Sequence, residues 1–226
     1  MSFVIKIIKK IVSFRFSLLI LLKLDNLIYK LITLSAIENE NGIHPKHEII
    51  QYEKWFLDQI KENDTVLDIG SNLGDMAQKM SLKCNLVYGI EINEESALKA
   101  KKLETSKLKF FCEDALEFDY NKLEKIDLIT LSNVLEHIEN RVVFINKLIS
   151  EVIWKSKPQF LIRVPMIDRE WISVYKKQLG IEWRLDNTHF TEYDLEQFKK
   201  EMNENNLVIN YHFVKFGELF ASCSQN

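Results

Sequence analysis

Cysteine is scarce in this chain of 226 residues, and its placement argues against a structural zinc site. Cys84, Cys112 and Cys223 are odd in number and lie far apart, and none forms a C-x-x-C pair or a cysteine–histidine cluster with metal-ligand spacing. The sequence therefore predicts no structural zinc, and it favours a reducing, cytoplasmic compartment.

The chain also lacks a hydrophobic run long enough to cross a membrane, although its start is basic and apolar. The apolar run 16–22 is followed by Lys23 and Asp25, well short of the ~20 apolar residues that a spanning helix needs. No small-residue cleavage pattern follows it. Six Lys and Arg against one Asp nevertheless give residues 1–32 a net charge of +5, which leaves −8 on the rest because the whole chain carries −3.

Two interpretations of this basic segment stay open. Its apolar spacing predicts two amphipathic helices with a break near 13–17. Such helices gain from apolar insertion and from anionic headgroups, which favours peripheral contact with the inner face of a membrane. The same pattern suits a helix packed on its own domain or on a second subunit of a homodimer, and no lipidation motif decides between them.

Excess positive charge is absent from the chain as a whole, which carries 30 Lys and Arg against 33 Asp and Glu. The acidic body lacks a basic groove, so we expect no nucleic-acid partner. The length and the 46% of hydrophobic residues suit one α/β domain. We expect a basic helical segment at 1–40 and the domain at 41–226, with an insertion at 166–190.

From residue 65 onward, short apolar runs alternate with helical patterns. This order predicts a mostly parallel seven-stranded sheet with helices on both faces and a closing antiparallel hairpin. The predicted strands are 65–69, 86–90, 107–111, 126–132 and 160–164, followed by two strands within 207–223 that join at Gly217. The predicted helices are 74–83, 94–104, 140–154 and about 192–205.

The sequence VLDIGSNLG at 66–74 is a buried strand that runs into a glycine turn and then a helix. Gly70 and Gly74 allow the backbone to turn tightly and to approach a ligand, and the first free amides of the helix can receive a carboxylate. Asp68, at the end of the strand, is placed to accept a hydrogen bond from an ammonium. Together these groups match the two ends of an amino acid.

Acidic residues also follow the next two strands. Glu91 lies 23 residues after Asp68 and can accept hydrogen bonds from both hydroxyls of a ribose. Asp114 lies just past the third strand, where its carboxylate can accept from an adenine amino group. Three successive strand ends therefore predict contacts to an amino acid, a ribose and an adenine.

Over roughly residues 45–223 this run resembles the class I S-adenosylmethionine-dependent methyltransferases, whose first motif is a strand followed by D-x-G-x-G-x-G. The resemblance implies a Rossmann-like fold and S-adenosyl-L-methionine as cofactor. It assigns the methionine part to Asp68, Gly70 and Gly74, the ribose to Glu91 and the adenine to Asp114. It adds four further cofactor contacts, which are Asn72, Ile92, Ala115 and Asn133.

One position departs from the family motif, because Asn72 replaces the middle glycine. Asparagine tolerates left-handed backbone angles, so the fold survives, with a weaker or differently shaped pocket. A nicotinamide-binding domain would instead require G-x-G-x-x-G, and residues 70–75 are G-S-N-L-G-D.

The acceptor side is predicted from two segments. The fourth strand runs into LSNVLEHIEN at 131–140, where Asn133, Glu136 and His137 could line the site. For Glu136 we favour a role in orienting the loop by hydrogen bonds to the backbone, whereas for His137 that role and a place in the site, as a candidate base, stay equally open. The segment 166–198 is expected over the carboxyl edge of the sheet, where aromatic and charged side chains suit a polar ring. Its candidates are Arg169, Trp171, Tyr175, Trp183, Arg184, Asp186, His189 and Tyr193, and the tryptophans suit a subdomain core equally well.

A narrower resemblance, to methyltransferases of polysaccharide and capsule biosynthesis, rests on HPKH at 44–47 together with WRLDNTHFTEY at 183–193. It implies a sugar or sugar-linked hydroxyl as acceptor. Because such a hydroxyl is a poor nucleophile until it loses its proton, we expect a general base, for which His189 and His137 are the candidates. We expect no metal, since Asp168, Glu170 and Asp186 offer only weak support for one. A lipid or quinone precursor as acceptor, and a binding protein that has lost catalysis, remain the alternatives.

Overall fold

The computed structural model describes residues 5, 15–42 and 44–225. These residues divide into two compact units, one made of 52–169 and 186–225, and the other of the described part of 1–51 together with 170–185. The helices are α1 (Arg15–Asn39), α2 (Lys46–Ile50), α3 (Tyr52–Gln59), α4 (Asp75–Ser81), α5 (Glu94–Lys101), α6 (Arg141–Glu151), α7 (Trp171–Gln178) and α8 (Leu195–Glu204). The strands are β1 (Thr65–Ile69), β2 (Leu86–Glu91), β3 (Leu108–Cys112), β4 (Leu128–Ser132), β5 (Gln159–Pro165), β6 (Leu207–Lys215) and β7 (Glu218–Gln225).

The larger unit is built on one seven-stranded sheet in the order β3-β2-β1-β4-β5-β7-β6. Strands β1 to β5 pair in parallel, and β7 pairs antiparallel with both β5 and β6. The predicted Rossmann-like mixed sheet with a closing hairpin is therefore confirmed. Because β1 lies between β2 and β4, the strand order reverses there and opens a crevice at the carboxyl ends.

Apolar side chains alternate between the two faces of the sheet and fill a core on each. Every residue of β1 is buried, as expected for a central parallel strand covered on both faces. Burying one such large aliphatic side chain contributes ~1.5–3 kcal/mol relative to leaving it exposed. The two cores include Leu67, Ile129 and Ile162 on one face and Val66, Val87 and Leu161 on the other.

The smaller unit contains the long helix α1, which is linked to α7 by polar contacts. Lys176 Nζ lies 2.5 Å from Asp25 Oδ2 and 2.7 Å from Asn26 Oδ1, and the Asn26 amide donates to the Glu182 carbonyl at 2.7 Å. The helix is continuous from Arg15, so residues 15–17 of the predicted break are helical. The rest of that break, and most of 1–14, lie outside the described residues. Among the helices described, none is long and apolar enough to span a membrane.

Two helical regions have ends set by local backbone or by a capping residue. The helical residues before β1 form two pieces, because Gln51 adopts a left-handed φ of 55° between α2 and α3. The helix predicted from about 192 begins three residues further on, at Leu195. Asp194 caps α8, and its carboxylate accepts from the Gln197 amide at 2.7 Å. Aspartate followed three residues later by glutamine satisfies the capping pattern better than threonine followed by aspartate.

Candidate active site

The turn after β1 requires left-handed backbone at three positions. Gly70 and Gly74 have φ of 73° and 89°, and a Cβ on them would lie 2.7 Å from Val134 Cγ2 and 2.8 Å from Phe110 Cζ respectively. Asn72, which replaces the middle glycine of the motif, has φ 48°. The turn thus keeps the conformation that glycine normally supplies, and asparagine is among the residues that tolerate it.

Asp68 points its carboxylate from β1 toward β4. It is 3% exposed, and it accepts a hydrogen bond of 2.6 Å from the Thr130 hydroxyl on the neighbouring strand. Burial raises the pKa of Asp68 to about 7, and the negative charge of Glu91 raises it further, against the Thr130 bond. A ligand ammonium near this carboxyl would favour its ionised form.

Glu91 links the end of β2 to the glycine turn. Its Oε2 accepts from the main-chain N–H of Asn72 at 2.8 Å, and its Oε1 accepts from the main-chain N–H of Asn93 at 2.8 Å. These two bonds hold the carboxylate in a fixed orientation. Each carboxylate oxygen has a second acceptor site, so two ligand hydroxyls can still be bound.

The remaining predicted cofactor residues lie at the ends of β2, β3 and β4. Ile92 is 67% exposed, which leaves an apolar side chain next to Glu91. Asp114 and Ala115 are partly buried; Asp114 Oδ1 accepts from the Leu116 amide at 2.9 Å. Asn133 has φ 56°, and its amide donates to the Arg163 carbonyl at 2.8 Å.

Two buried polar atoms near these strand ends have no hydrogen-bond partner among the described residues. They are Asn133 Oδ1, after β4, and Ser71 Oγ, in the glycine turn. A buried hydroxyl or amide is costly without a partner. These atoms, together with the tight turn at Gly70, fit a site that receives a polar ligand.

Gly89 lies beside the glycine turn and is not among the residues predicted for the site. A Cβ at this position would lie 2.4 Å from Phe110 Cδ1 and 2.8 Å from Ser71 Oγ. The strand must therefore stay bare where the Phe110 ring and the glycine turn approach it. A glycine inside an apolar strand is the signal that could have identified it.

The fold brings both candidate bases together. His137 lies in a 3-10 turn, Leu135–His137, after β4, and His189 lies in the loop before α8. Their ring centroids are 4.7 Å apart with the rings at 79°. The Phe190 amide donates to the Glu136 carbonyl at 2.8 Å, which joins the loop to the turn.

The surroundings of the two histidines differ. His189 is 7% exposed, and its Nδ1 lies 3.1 Å from Oε1 of the fully buried Glu192, which also forms an ion pair with Arg169. His137 is more exposed, and its Nδ1 lies 3.0 Å from Thr188 Oγ1. Burial, and then the charge of His189, lower the pKa of His137.

Glu136 behaves differently from the prediction. Its side chain is fully buried, and neither carboxylate oxygen has a hydrogen-bond partner among the described residues. Burial raises the pKa of this carboxyl to about 8. The loop is held through the Glu136 carbonyl instead, because main-chain amides of Phe190 and Thr191 reach that atom.

Several aromatic candidates from 166–198 have a burial that does not match the predicted role as acceptor contact or subdomain core. Tyr193 is fully buried, and its hydroxyl donates to Glu201 at 2.9 Å, so it is a core residue and not an acceptor contact. Trp171 is 73% exposed, which excludes it from a subdomain core. Phe190, 58% exposed beside His189, is an aromatic that the sequence analysis overlooked. Four candidates lie in the smaller unit, namely Trp171, Tyr175, Trp183 and Arg184.

A mostly parallel sheet whose strand order reverses at β1, with a glycine turn after that strand and acidic residues at the next strand ends, is the arrangement of a Rossmann-like nucleotide-binding site. A sequence model described as a methyltransferase domain matches residues 44–212, which is most of the chain. The chain therefore belongs to the methyltransferase-domain family. The predicted S-adenosylmethionine-dependent methyltransferase is confirmed at the level of family and fold.

Solved structures of methyltransferases share this fold at low sequence identity. The small RNA methyltransferase HEN1 has a TM-score of 0.64 and 18% identity, over 78% of this chain but only 25% of that one. Magnesium protoporphyrin IX methyltransferase from Synechocystis PCC 6803, with bound SAH, gives 0.60 and 16%, over 80% and 83%. The N-methyltransferase NodS from Bradyrhizobium japonicum WM9, in complex with S-adenosyl-L-homocysteine, gives 0.54 and 15%, over 73% and 79%. No curated protein matches the chain in sequence.

Proposed function

We propose that this protein transfers a methyl group from S-adenosylmethionine to a hydroxyl of a sugar or sugar-linked precursor of a cell-surface polysaccharide. The observation that carries the acceptor chemistry is the close approach of the His137 and His189 rings. His137 follows β4, which is the neighbour of β1 in the sheet. Two of the related structures contain the demethylated cofactor, which supports the choice of methyl donor.

Residues at successive strand ends would each bind a different part of the methyl donor. We assign the ammonium to Asp68, the carboxylate to the amides of the turn 70–74 that begins α4, and the ribose to Glu91. Ile92, Asp114 and Ala115 would line the adenine, and Asn133 Oδ1 would face the methionine part. When bound, S-adenosylmethionine supplies an electrophilic methyl group on a sulfonium.

The acceptor hydroxyl is a poor nucleophile until it loses its proton, so a group must activate it. The simplest activation is general-base catalysis by His189, which the buried Glu192 orients through Nδ1. His137 is the alternative base. The exposed ring of Phe190, beside this pair, offers a face on which a sugar ring can stack.

Peripheral binding to an anionic membrane is the second part of the proposal, and it keeps a lipid or quinone precursor as alternative acceptor. One side of α1 exposes a broad apolar surface that includes Leu24, Leu27 and Leu31, while Lys23 and Lys30 are also exposed. Apolar insertion and attraction to anionic headgroups act together on such a helix. We propose residues 1–32, within the basic helical segment 1–40, as the membrane-binding part, with 41–226 as the methyltransferase domain and 166–190 as its acceptor-side insertion.

A screen for S-adenosylhomocysteine release tests the acceptor class. The purified chain is incubated with S-adenosylmethionine and, separately, with sugar nucleotides, lipid-linked sugars and quinone precursors. We expect turnover with a sugar-containing acceptor and none with the quinones. Turnover with quinones alone would replace the sugar proposal, and cofactor binding without turnover on any acceptor would favour a binding protein that has lost catalysis.

A further inference from the structure

We propose that Glu136, His137 and His189 form a binding site for one divalent transition-metal ion. Each residue offers one ligand atom, and these atoms all lie within 4.8 Å of one another. Two imidazoles and one carboxylate are a donor set that catalytic zinc and other first-row metals use with a position left open. The catalytic meaning of this site rests on the proposed function, but metal binding itself is measured without turnover.

Glu136 is the residue that points to a cation most directly. Its side chain is fully buried, and neither oxygen accepts a hydrogen bond from another of the residues described. Burying a carboxylate without a hydrogen-bonding partner on another residue is costly, and native structures rarely tolerate it without a function. An ion bound between this carboxylate and the two imidazoles would supply the missing partner.

Hydrogen bonds set the tautomer of His137. The Thr188 hydroxyl donates its single proton to Asp186 Oδ1 at 2.8 Å, so it can only accept from His137 Nδ1 at 3.0 Å. His137 therefore carries its proton on Nδ1, which places a lone pair on Nε2. A neutral imidazole with its other nitrogen bonded in this way is the form that binds metals.

The same logic holds for His189. Its Nδ1 lies 3.1 Å from Oε1 of Glu192, a fully buried carboxylate that Arg169 also holds. A carboxylate accepts from Nδ1–H, which places the lone pair of the neutral ring on Nε2. Carboxylate–histidine pairs of this kind orient metal ligands and raise their basicity.

A bound ion would deepen the proposed mechanism by replacing direct proton acceptance by His189. The acceptor hydroxyl would take the open position on the ion, and its O–H bond would break with the proton passing to water, because a coordinated oxygen is more acidic. The oxygen then forms a bond to the methyl carbon as the carbon–sulfur bond breaks. The electron pair of that bond stays on sulfur, so nothing is oxidised or reduced.

The test uses the untagged full chain, freed of metal by a chelator and titrated with Co²⁺ while visible absorbance is recorded. We expect one Co²⁺ per chain. Thr188→Val, which alters only the partner of a ligand, should weaken the affinity about 10- to 100-fold, and Glu136→Gln and His137→Ala, which remove a ligand atom, should each weaken it more than Thr188→Val does. His212→Ala, at an exposed histidine of β6, is the matched control and should bind as the wild type does.

Calorimetry with S-adenosylmethionine on the same proteins separates the two proposals. Cofactor binding by Glu136→Gln shows that the variant is folded. A wild type that binds the cofactor but no Co²⁺, or Co²⁺ binding that Glu136→Gln and His137→Ala leave unchanged, overturns the metal site and leaves the methyltransferase proposal standing. If the wild type binds Co²⁺ through Glu136 and His137 but does not bind S-adenosylmethionine, the metal site stands and the methyltransferase proposal is overturned.

Discussion

Glu91 tests the proposed cofactor contacts at the scale of a single residue, because its carboxylate is already held in place by two amides. Glu91→Ala should weaken S-adenosylmethionine binding by ~1–3 kcal/mol, since it removes charge-assisted hydrogen bonds to the ribose. Glu94→Ala, an exposed acidic change nearby on α5, should leave the affinity unchanged. Calorimetry checks both, and unchanged affinity in Glu91→Ala would contradict the ribose assignment.

Asp68 predicts a pH dependence of stability. Burial raises its folded-state pKa from 3.8 to about 7, so folding favours the protonated form. Stability of the protein without cofactor should therefore fall as pH rises from about 4 to about 7, by on the order of 3 kcal/mol. Asp68→Asn keeps an acceptor for Thr130 and should remove the part of this dependence that Asp68 causes, while the part caused by buried Glu136, whose pKa is raised to about 8, remains. Unfolding in urea at pH 5 and at pH 8 gives the free energy of unfolding of both proteins. If this free energy changes between the two pH values by the same amount in the wild type and in Asp68→Asn, the assignment to Asp68 is ruled out.

The ionised form of Asp68 is the one that binds an ammonium, so cofactor affinity should change in the opposite direction and rise with pH through about 7.

His189 carries the proposed activation of the acceptor, either as base or as metal ligand. His189→Ala should lower kcat by roughly 10²- to 10⁴-fold on the true acceptor while cofactor affinity stays nearly intact. His137→Ala should lower kcat less if His189 is the base. Steady-state kinetics of both variants decide, and full turnover by His189→Ala with an inactive, folded His137→Ala would reverse the roles.

At the scale of the element, Gly89 controls how β2 meets β3 and the glycine turn. Gly89→Ala places a methyl group against Phe110 and Ser71 and should destabilise the fold by ~1–3 kcal/mol through overpacking. Gly180→Ala is the contrasting variant. Its φ is 67° and no atom lies within 4 Å of the added Cβ, so this change causes backbone strain without overpacking. Thermal unfolding compares the two, and a Gly89→Ala variant as stable as the wild type would show that the turn can move.

The elements that sequence predicted best are those whose pattern is local. The strand β1 lies where the apolar run 65–69 placed it, and the predicted strand pair joined at Gly217 is β6 and β7. Asn72 also has the left-handed backbone that its position in the motif implies. In each case the residue types within a few positions determine the outcome.

What sequence could not predict depends on contacts between distant segments. Glu136 and His189 are 53 positions apart, and only the packing of the loop before α8 on the turn after β4 brings them together. The sequence pattern instead favours Asp168, Glu170 and Asp186, which lie close together along the chain, as the weak metal candidates. Asp186 instead supports a histidine through Thr188. The burial of Tyr193 and the exposure of Trp171 likewise depend on tertiary packing.

For the whole molecule, charge and apolar surface predict where the protein resides. Residues 1–32 carry a net charge of +5 against −8 on the rest, and the described part of this segment exposes apolar side chains along α1. The protein should therefore co-sediment with vesicles of anionic lipid, less at high salt and not with neutral vesicles. Each basic residue near such a surface contributes about 1 kcal/mol. Added salt shortens the Debye length, beyond which the attraction is screened, and therefore weakens binding.

Deleting 1–32 should abolish this sedimentation, but the deletion also removes Asp25 and Asn26, which hold Lys176. The double substitution Lys23→Glu and Lys30→Glu avoids that loss, because both side chains are exposed. It reverses two charges and should weaken vesicle binding at least 30-fold, by about 1 kcal/mol for each lysine removed and more for the repulsion added. The charge-neutral control is Lys23→Arg with Lys30→Arg. If the wild type does not co-sediment with anionic vesicles and the deletion instead converts a dimer into a monomer, the exposed side of α1 is a subunit interface.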